Sequence, residues 1–210
     1  MKIAHIVSTY PPYKGGMGNV AASFVAELQE RGHDCTVFVP QYRKVDDQKD
    51  IVRIKPLLKY GNAGFIPQLY KYLDNFDVIH LHYPFFGGAE TVYLYKKLHP
   101  KKPLIITFHM DVIGSGVVKL ISSLYRKVIH YPILKSADII TCSSKDYASY
   151  SQMKEVIDSR FIELPFGTDF QGRPKLLSGK NKLLFVGGLD SAHAFKGVDI
   201  LLKAVSKLED

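Results

Sequence analysis

The sequence predicts an α/β fold: a doubly wound parallel sheet with helices on both faces. Three observations carry that expectation. Short apolar runs alternate with helical patterns along nearly the whole chain, the runs are almost continuous, and the first ends in a glycine-rich turn from which a helix starts at once. Strands buried on both faces have this unbroken apolar character. Strand, turn and helix in repeated order is the unit from which such sheets are wound.

Lys2–Ser8 is the first strand, and Met17–Arg31 a helix that turns Val20, Phe24, Val25 and Leu28 to one side before Gly32 closes it. Cys35–Pro40 and Ile51–Lys55 follow as strands, with a polar loop between them. Ile66–Asn75 places Leu69, Tyr70 and Leu73 at helical spacing, Asp77–His82 is a strand, Ala89–Leu98 a helix and Leu104–His109 a strand. Val117–Lys135 reads as a long helix, Asp138–Cys142 as a strand, Lys145–Val156 as a helix and Arg160–Leu164 as the last strand. This order is Rossmann-like, and it assigns residues 1–173 to one domain. Residues 174–182 are polar and turn-rich, a linker. Leu183–Gly188 then begins a new strand, and Val198–Leu208 is an amphipathic helix with Ile200, Leu201, Ala204 and Val205 inward. One strand and one helix cannot bury a core. Residues 183–210 are therefore expected to be the first βα unit of an incomplete second domain, or else a small extension packed on the first.

The turn after the first strand, Thr9-Tyr10-Pro11-Pro12-Tyr13-Lys14-Gly15-Gly16-Met17-Gly18, is the most informative stretch. A helix that begins there points unpaired N–H groups and the positive end of its dipole above the sheet edge, where phosphate or carboxylate binds. Gly15 and Gly16 are expected to leave room for a ligand and to allow positive φ. Gly16-Met17-Gly18-Asn19-Val20-Ala21 fits the dinucleotide pattern G-x-G-x-x-A. In that fold, however, the motif follows the strand directly, and here Thr9 to Gly15 intervene. The second strand ends in Pro40-Gln41, with no acid to hold a ribose hydroxyl, so a nicotinamide or flavin enzyme is disfavoured.

The 210 residues are 46% hydrophobic and 23% charged, an ordinary globular composition. No apolar run reaches membrane-spanning length, and the first residues lack the zones of a signal peptide. Cys35 and Cys142 sit in apolar strand patterns, as free thiols of a reducing cytoplasm would, and nothing in their spacing suggests zinc. Net charge is +8. It clusters at Lys96, Lys97, Lys101 and Lys102 around His99-Pro100, and at Lys119, Arg126, Lys127 and Lys135 on the long helix. Such clusters are either solvated faces or attract phosphate-bearing ligands and anionic lipid headgroups on the inner face of a membrane. No nucleic-acid module is present, and no nucleic-acid partner is expected.

Several segments in order resemble one family. Ser8-Thr9-Tyr10-Pro11-Pro12 through Gly15-Gly16 resembles the opening of nucleotide-sugar glycosyltransferases of the two-domain GT-B fold, the family 4 (group 1) retaining type. Asp77-Val78-Ile79-His80-Leu81-His82, Thr107-Phe108-His109-Met110-Asp111, Ala137-Asp138-Ile139-Ile140-Thr141-Cys142-Ser143 and Leu164-Pro165-Phe166-Gly167-Thr168-Asp169 are similar to later segments of that family's N-terminal, acceptor-side domain. Phe185-Val186-Gly187-Gly188-Leu189-Asp190 and Phe195-Lys196-Gly197 look like the start of its donor-binding domain.

The resemblance implies transfer of a sugar, with retained anomeric configuration, from a nucleotide-diphosphate sugar to an acceptor hydroxyl in polysaccharide or glycolipid assembly. The nucleotide sugar would be a co-substrate, with no metal and no other cofactor. It implies that Gly15 and Gly16 meet the donor phosphates or sugar, that His109 sits beside the sugar as the catalytic histidine, and that Lys196 neutralises the β-phosphate. Tyr10, Lys14, His82, Tyr83 and Asp111 fall on the acceptor side. Two departures stand out: Gly188 occupies a place where the family commonly has arginine, and Ser191-Ala192-His193-Ala194 set Lys196 further from the glycines. The family's paired glutamates have no counterpart in this chain, so these 210 residues alone are expected to have little or no activity.

His109 and His82 both end apolar runs at the edge where such sheets bind ligands, whereas His80 and His5 fall inside strands and read as buried and satisfied. His82 and Tyr83-Pro84-Phe85-Phe86 build an acceptor wall or pack internally, and Tyr10, Tyr13 and Phe65 stack on sugars or hold a lipid tail. Asp111 either orients His109 or caps its own loop. Two rival readings stay open: a nucleotide-sugar epimerase of the same paired fold, which needs carboxylates for proton transfer, and a sugar- or phosphate-binding module without catalysis.

Overall fold

Seven parallel strands form the sheet that carries the candidate site. The structure is a computed structural model, and it describes residues 1–13, 15–43, 45, 49–112, 125–167, 183–189 and 196–208. The chain divides into two units, Met1–Thr168 and Asp169–Asp210. In the first, the strands are β1 (Lys2–Ile6), β2 (Asp34–Pro40), β3 (Ile51–Ile54), β6 (Val78–Tyr83), β7 (Leu104–Phe108), β8 (Ile139–Cys142) and β9 (Phe161–Glu163). Their spatial order is β3-β2-β1-β6-β7-β8-β9. The doubly wound parallel sheet expected from the sequence is the one observed.

Each face of the sheet has its own core. Ala4, Ile6, Leu81, Ile106, Phe108 and Ile140 project into a large cluster with α2 (Ala89–Leu98) and the 3₁₀ helix Pro67–Asn75. On the opposite face, Ile3, Val7, Val37 and Val39 pack with Ala21 and Val25 of α1 (Gly16–Glu30). Cys35 and Cys142 are both buried and free.

Acids at the strand starts fasten one edge. The Lys2 N–H donates to Asp77 Oδ2 at 2.7 Å, tying β1 to β6. The Leu104 N–H donates to Asp138 Oδ2 at 2.7 Å, tying β7 to β8. Lys96 reaches the same Asp138 oxygen at 2.7 Å and also donates to the Pro100 and Lys102 carbonyls. Lys102 donates to the carbonyls of Asp74 and Phe76. Two of the four lysines around His99-Pro100 are thus structural clamps, at the edge opposite to the C-terminal ends of the strands.

Local chemistry explains several differences from the sequence expectation. The sequence reading missed an antiparallel hairpin, β4 (Leu58–Tyr60) with β5 (Ala63–Phe65), turned by Gly61-Asn62 with φ +55° at Gly61. The helix expected over Lys145–Val156 is two: α4 (Lys145–Tyr150) and the 3₁₀ turn Lys154–Val156. At the break, Ser151 Oγ donates to the Ala148 carbonyl and accepts from the Met153 N–H, while the Gln152 N–H donates to Asp111. These side-chain bonds compete with the helix ladder and end it. Of the long helix expected over Val117–Lys135, residues 117–124 lie outside the described residues. The rest is a π-helical turn, Arg126–His130, followed by α3 (Tyr131–Lys135). Pro132 has no N–H to give to the preceding turn, and a widened turn before it accommodates the loss.

The second unit corrects an expectation. Leu183–Gly188 is not a strand; Leu184 and Val186 are 88% and 82% exposed, with no strand beside them among the described residues. Backbone hydrogen bonding in a strand needs a neighbour. The helix forms as expected, as α5 (Val198–Val205), but it buries none of its residues, and Ile200 is exposed. The proposed linker lies outside the described residues.

Gly18, in the first turn of α1, sets how closely that helix approaches the sheet. A Cβ there would meet the Thr9 carbonyl oxygen at 2.7 Å and Tyr10 Cα at 3.2 Å, whereas one at Gly16 would meet nothing within 4 Å. Alanine gains about 1 kcal/mol over glycine from helix propensity, but a backbone clash costs about 1–3 kcal/mol. Gly18→Ala is therefore expected to lower stability to urea by up to about 2 kcal/mol, while Gly16→Ala loses none.

Candidate functional site

All the C-terminal ends of the parallel strands lie on one edge, where loops and helix N-termini meet ligands. α1 begins there. Its N-cap is Gly15, which has no side chain to cap its first N–H groups, and its first turn carries no acid. The positive end of the helix dipole is thus left without a protein anion of its own. Gly16 faces open space, as a ligand-facing position would. The positive φ expected at Gly15 and Gly16 is not found: Gly15 is extended at φ −164°, and neither is among the left-handed glycines. Room, not backbone freedom, distinguishes Gly16, and the glycine that close packing requires is Gly18. Gly15 lies against the Tyr13 ring. Lys14 lies outside the described residues.

His109 follows β7 on the same edge, two strands along from β1, a separation of roughly 10 Å at ~4.8 Å per strand. Register explains what lies beneath it. His5 pairs with His80 across β1 and β6, His82 with Thr107 across β6 and β7, and Thr107 with Thr141 across β7 and β8. Paired residues in parallel strands share a face, so these side chains form a polar stripe under α1. His5 Nδ1 lies 3.2 Å from His82 Nε2, and His82 Nδ1 lies 3.0 Å from His109 Nε2. His80 Nε2 is hydrogen-bonded to Thr107 Oγ1 at 2.7 Å, and Thr107 to Thr141 at 2.8 Å. Phe24 stacks over His80, and Phe166 lies 5.1 Å from His109 between ring centroids.

The structure redistributes the other expected site residues. His82 is fully buried and holds His109, so it does not face an acceptor. Tyr83 is buried on the opposite face of the sheet, with its hydroxyl 2.9 Å from His130 Nδ1, and Phe85 is buried too. The acceptor wall expected from these residues is core. Asp111 accepts from the Gln152 N–H at 2.8 Å while its own N–H donates to Tyr147. It ties two loops together and makes no bond to His109. Tyr10 is buried, but it borders a cavity of about 210 Å³ with Thr9, Pro12, Tyr13, Tyr42 and Arg53. Lys196 belongs to the second unit, where it is exposed beside Gly187.

Sequence reasoning missed His5, Phe24 and Phe166. His5 was expected to be satisfied, yet its Nε2 is buried with no hydrogen-bond partner. The signal was present as His80 and His82, two residues apart in one strand, but the register that adds His5 is not visible in the sequence.

Burial lowers the pKa of His5 to about 4 and of His109 to about 4. Burial first, then the neighbouring imidazoles, holds His80 and His82 well below the ordinary value. Neutral imidazoles are also metal ligands, and nitrogen atoms of His5, His80 and His82 lie within 4.8 Å of one another. The rings of His80 and His82 stack at 4.5 Å with 21° between their planes. Lone pairs lie in the ring plane, so stacked imidazoles aim them side by side rather than at one ion. The arrangement suits hydrogen bonding better than chelation.

Because these pKa values are lower in the folded than in the unfolded chain, acid favours unfolding. The contribution is complete above the unfolded value of about 6.5 and is lost as pH falls toward about 4. Stability to urea is expected to drop between pH 6.5 and 4, with a slope approaching about 1.4 kcal/mol per pH unit for each histidine involved. His5→Phe should make the slope shallower, and a flat profile would contradict the burial of neutral imidazoles.

Comparison with known proteins places these features. A sequence profile for Glycosyltransferase Family 4 matches residues 14–169. A glycogen synthase from Hydrogenobaculum sp. (strain Y04AAS1) is 32% identical over 96 residues, which is 44% of this chain and 20% of the relative. Among solved structures, an alpha-glucosyltransferase in complex with UDP and a 13-mer DNA containing a HMU base matches with a TM-score of 0.55 and 12% identity. That match covers 80% of this chain and 43% of the other. An alpha-glucosyltransferase in complex with UDP-glucose and DNA containing an abasic site matches with a TM-score of 0.50 and 11% identity, over the same shares. This chain thus spans about two fifths of the length of the solved structures it resembles. The match of the family profile to most of the chain settles its membership: the chain belongs to glycosyltransferase family 4.

Proposed function

We propose that this chain is the acceptor-side half of a retaining glycosyltransferase that uses a nucleotide-diphosphate sugar. One observation carries the reading. The glycine-capped N-terminus of α1, with open space at Gly16, and His109 after β7 lie on one edge of one sheet. The helix terminus suits the charge of a leaving diphosphate, which needs fixed dipoles where water is excluded. His109 suits a sugar hydroxyl or another polar group beside the reacting carbon. In the reaction, the bond from the sugar carbon to the phosphate oxygen breaks and a bond to the acceptor oxygen forms. The acceptor's hydroxyl proton leaves toward the departing phosphate. The cavity bordered by Tyr10, Tyr13 and Tyr42 is the acceptor seat in this reading, because aromatic faces and few polar groups suit a sugar or glycolipid. Peripheral attachment to an anionic membrane belongs to the same reading. It rests on Lys127 and Lys135, exposed with Val128 near them.

Incubating the natural protein that carries this sequence with UDP- and GDP-sugars, with product anomers read by NMR, tests the reading. Transfer with retention is expected; release of a free epimer, or binding without turnover, would replace it with one of its rivals. His109→Ala is expected to lower turnover by about 100-fold or more, the usual loss when a positioned hydrogen-bonding group is removed, with nucleotide affinity nearly unchanged. Co-sedimentation with liposomes should rise with the anionic lipid fraction and fall on Lys127→Glu. Sedimentation independent of anionic lipid would remove the membrane component.

A further inference from the structure

Two hydrogen bonds join three imidazoles in a row that runs from the interior of the sheet to its C-terminal edge: His5, His82 and His109. No carboxylate is hydrogen-bonded or ion-paired to any of the three among the described residues, and all are held neutral by burial. A neutral imidazole has one N–H and one lone pair. Such a row therefore has only two self-consistent orientations.

In the outward orientation, His5 Nδ1–H donates to His82 Nε2, His82 Nδ1–H donates to His109 Nε2, and the proton of His109 lies on Nδ1. In the inward orientation, every bond reverses: His109 donates from Nε2, His82 donates from Nε2, and the proton of His5 lies on its own Nε2. The two ends of the row are not equivalent. His5 is wholly buried, and its Nε2 has no partner. Inward polarity makes that atom a buried N–H with nothing to accept it, one of the rarest features of folded proteins. Outward polarity leaves a bare lone pair there instead. At the other end, His109 is only partly buried, and its Nδ1 is not among the buried atoms that lack a partner. Either polarity is tolerated at that end. The inner end decides.

We infer that His82 is a positioning residue that, through the buried row it shares with His5, locks His109 as its Nδ1–H tautomer, so that the ring offers a hydrogen-bond donor, not a base, at the sheet edge. The tautomer of a histidine is set by what its other nitrogen meets, and here that nitrogen meets an N–H of His82. The group that fits opposite Nδ1 is an oxygen acceptor: a hydroxyl, carbonyl or phosphate oxygen. That this oxygen belongs to a donor sugar rests on the proposed function; the tautomer itself does not.

The test is made on the 210-residue chain, labelled with ¹⁵N at histidine, without substrate and at neutral pH. Long-range ¹H–¹⁵N correlation reads which ring nitrogen carries the proton, and His109→Ala identifies the His109 signals. Expected is a protonated Nδ1 and a lone-pair Nε2 at His109. His82→Leu removes the donor and should move His109 toward the Nε2–H form that an isolated neutral imidazole prefers, whereas His82→Gln, whose amide can still donate, should keep Nδ1–H. His5→Phe is the second variant; it leaves His82 Nε2 as the buried inner end, so the same penalty on an orphaned N–H should keep His109 as Nδ1–H, and a switch to Nε2–H would contradict the inference. A merely structural role for His82 would leave the tautomer unmoved. Wild-type His109 protonated on Nε2, or on both nitrogens, would overturn the inference. So would a stoichiometric metal ion found by elemental analysis and lost in His5→Phe. Since no substrate is present, this result and the transferase assay can fail independently.

Discussion

The register of β1, β6 and β7 is the constraint from which the site follows. Aligning His5 with His80 and His82 with Thr107 puts four polar side chains on a face that, further along at β2, carries only Cys35, Val37 and Val39. Such a stripe is costly to bury unless each group finds a partner. Here the partners are one another: imidazole to imidazole toward the edge, and imidazole to threonine to threonine across the sheet. Phe24 and Phe166 cover the stripe with aromatic rings and bring no counter-charge. Neutrality is therefore enforced first by burial and, for His80 and His82, second by the neighbouring imidazoles.

The two edges of the sheet do different work. Where strands begin, Asp77 and Asp138 accept backbone N–H groups of neighbouring strands, and Lys96 and Lys102 gather carbonyl oxygens. Polar groups there are consumed by the fold. Where strands end, the N-cap of α1 supplies no side-chain cap and His109 is only partly buried. A doubly wound parallel sheet produces this asymmetry by itself, because every crossover helix begins at the same edge. The chain belongs to glycosyltransferase family 4, and these are the groups it presents at that edge.

Part of the candidate site was legible in the sequence. His109 follows an apolar strand directly and Gly16 opens the helix that follows the first one, and in a parallel sheet both positions fall on the ligand-binding edge. Tyr83 and His82 occupy the same kind of position and still turn inward. The difference lies in one residue of alternation: Tyr83 points to the face filled by α2 and α3, and His82 to the face under α1, where His109 lies over it. Asp111 stands two residues from His109, but its carboxylate serves Gln152, a residue that only the folded chain brings near.

Hydrophobic patterning by itself determined the sheet, its parallel sense and the edge at which α1 begins, because burial on both faces writes an unbroken apolar signature into each strand. Tertiary structure alone decided which polar residues meet. Hydrogen bonds between His5, His82 and His109 join positions 77 and 27 residues apart, and their existence depends on strand order and register, which no local pattern encodes. Local sequence specifies which surface a strand must hide; only the assembled sheet specifies which neighbours it hides against.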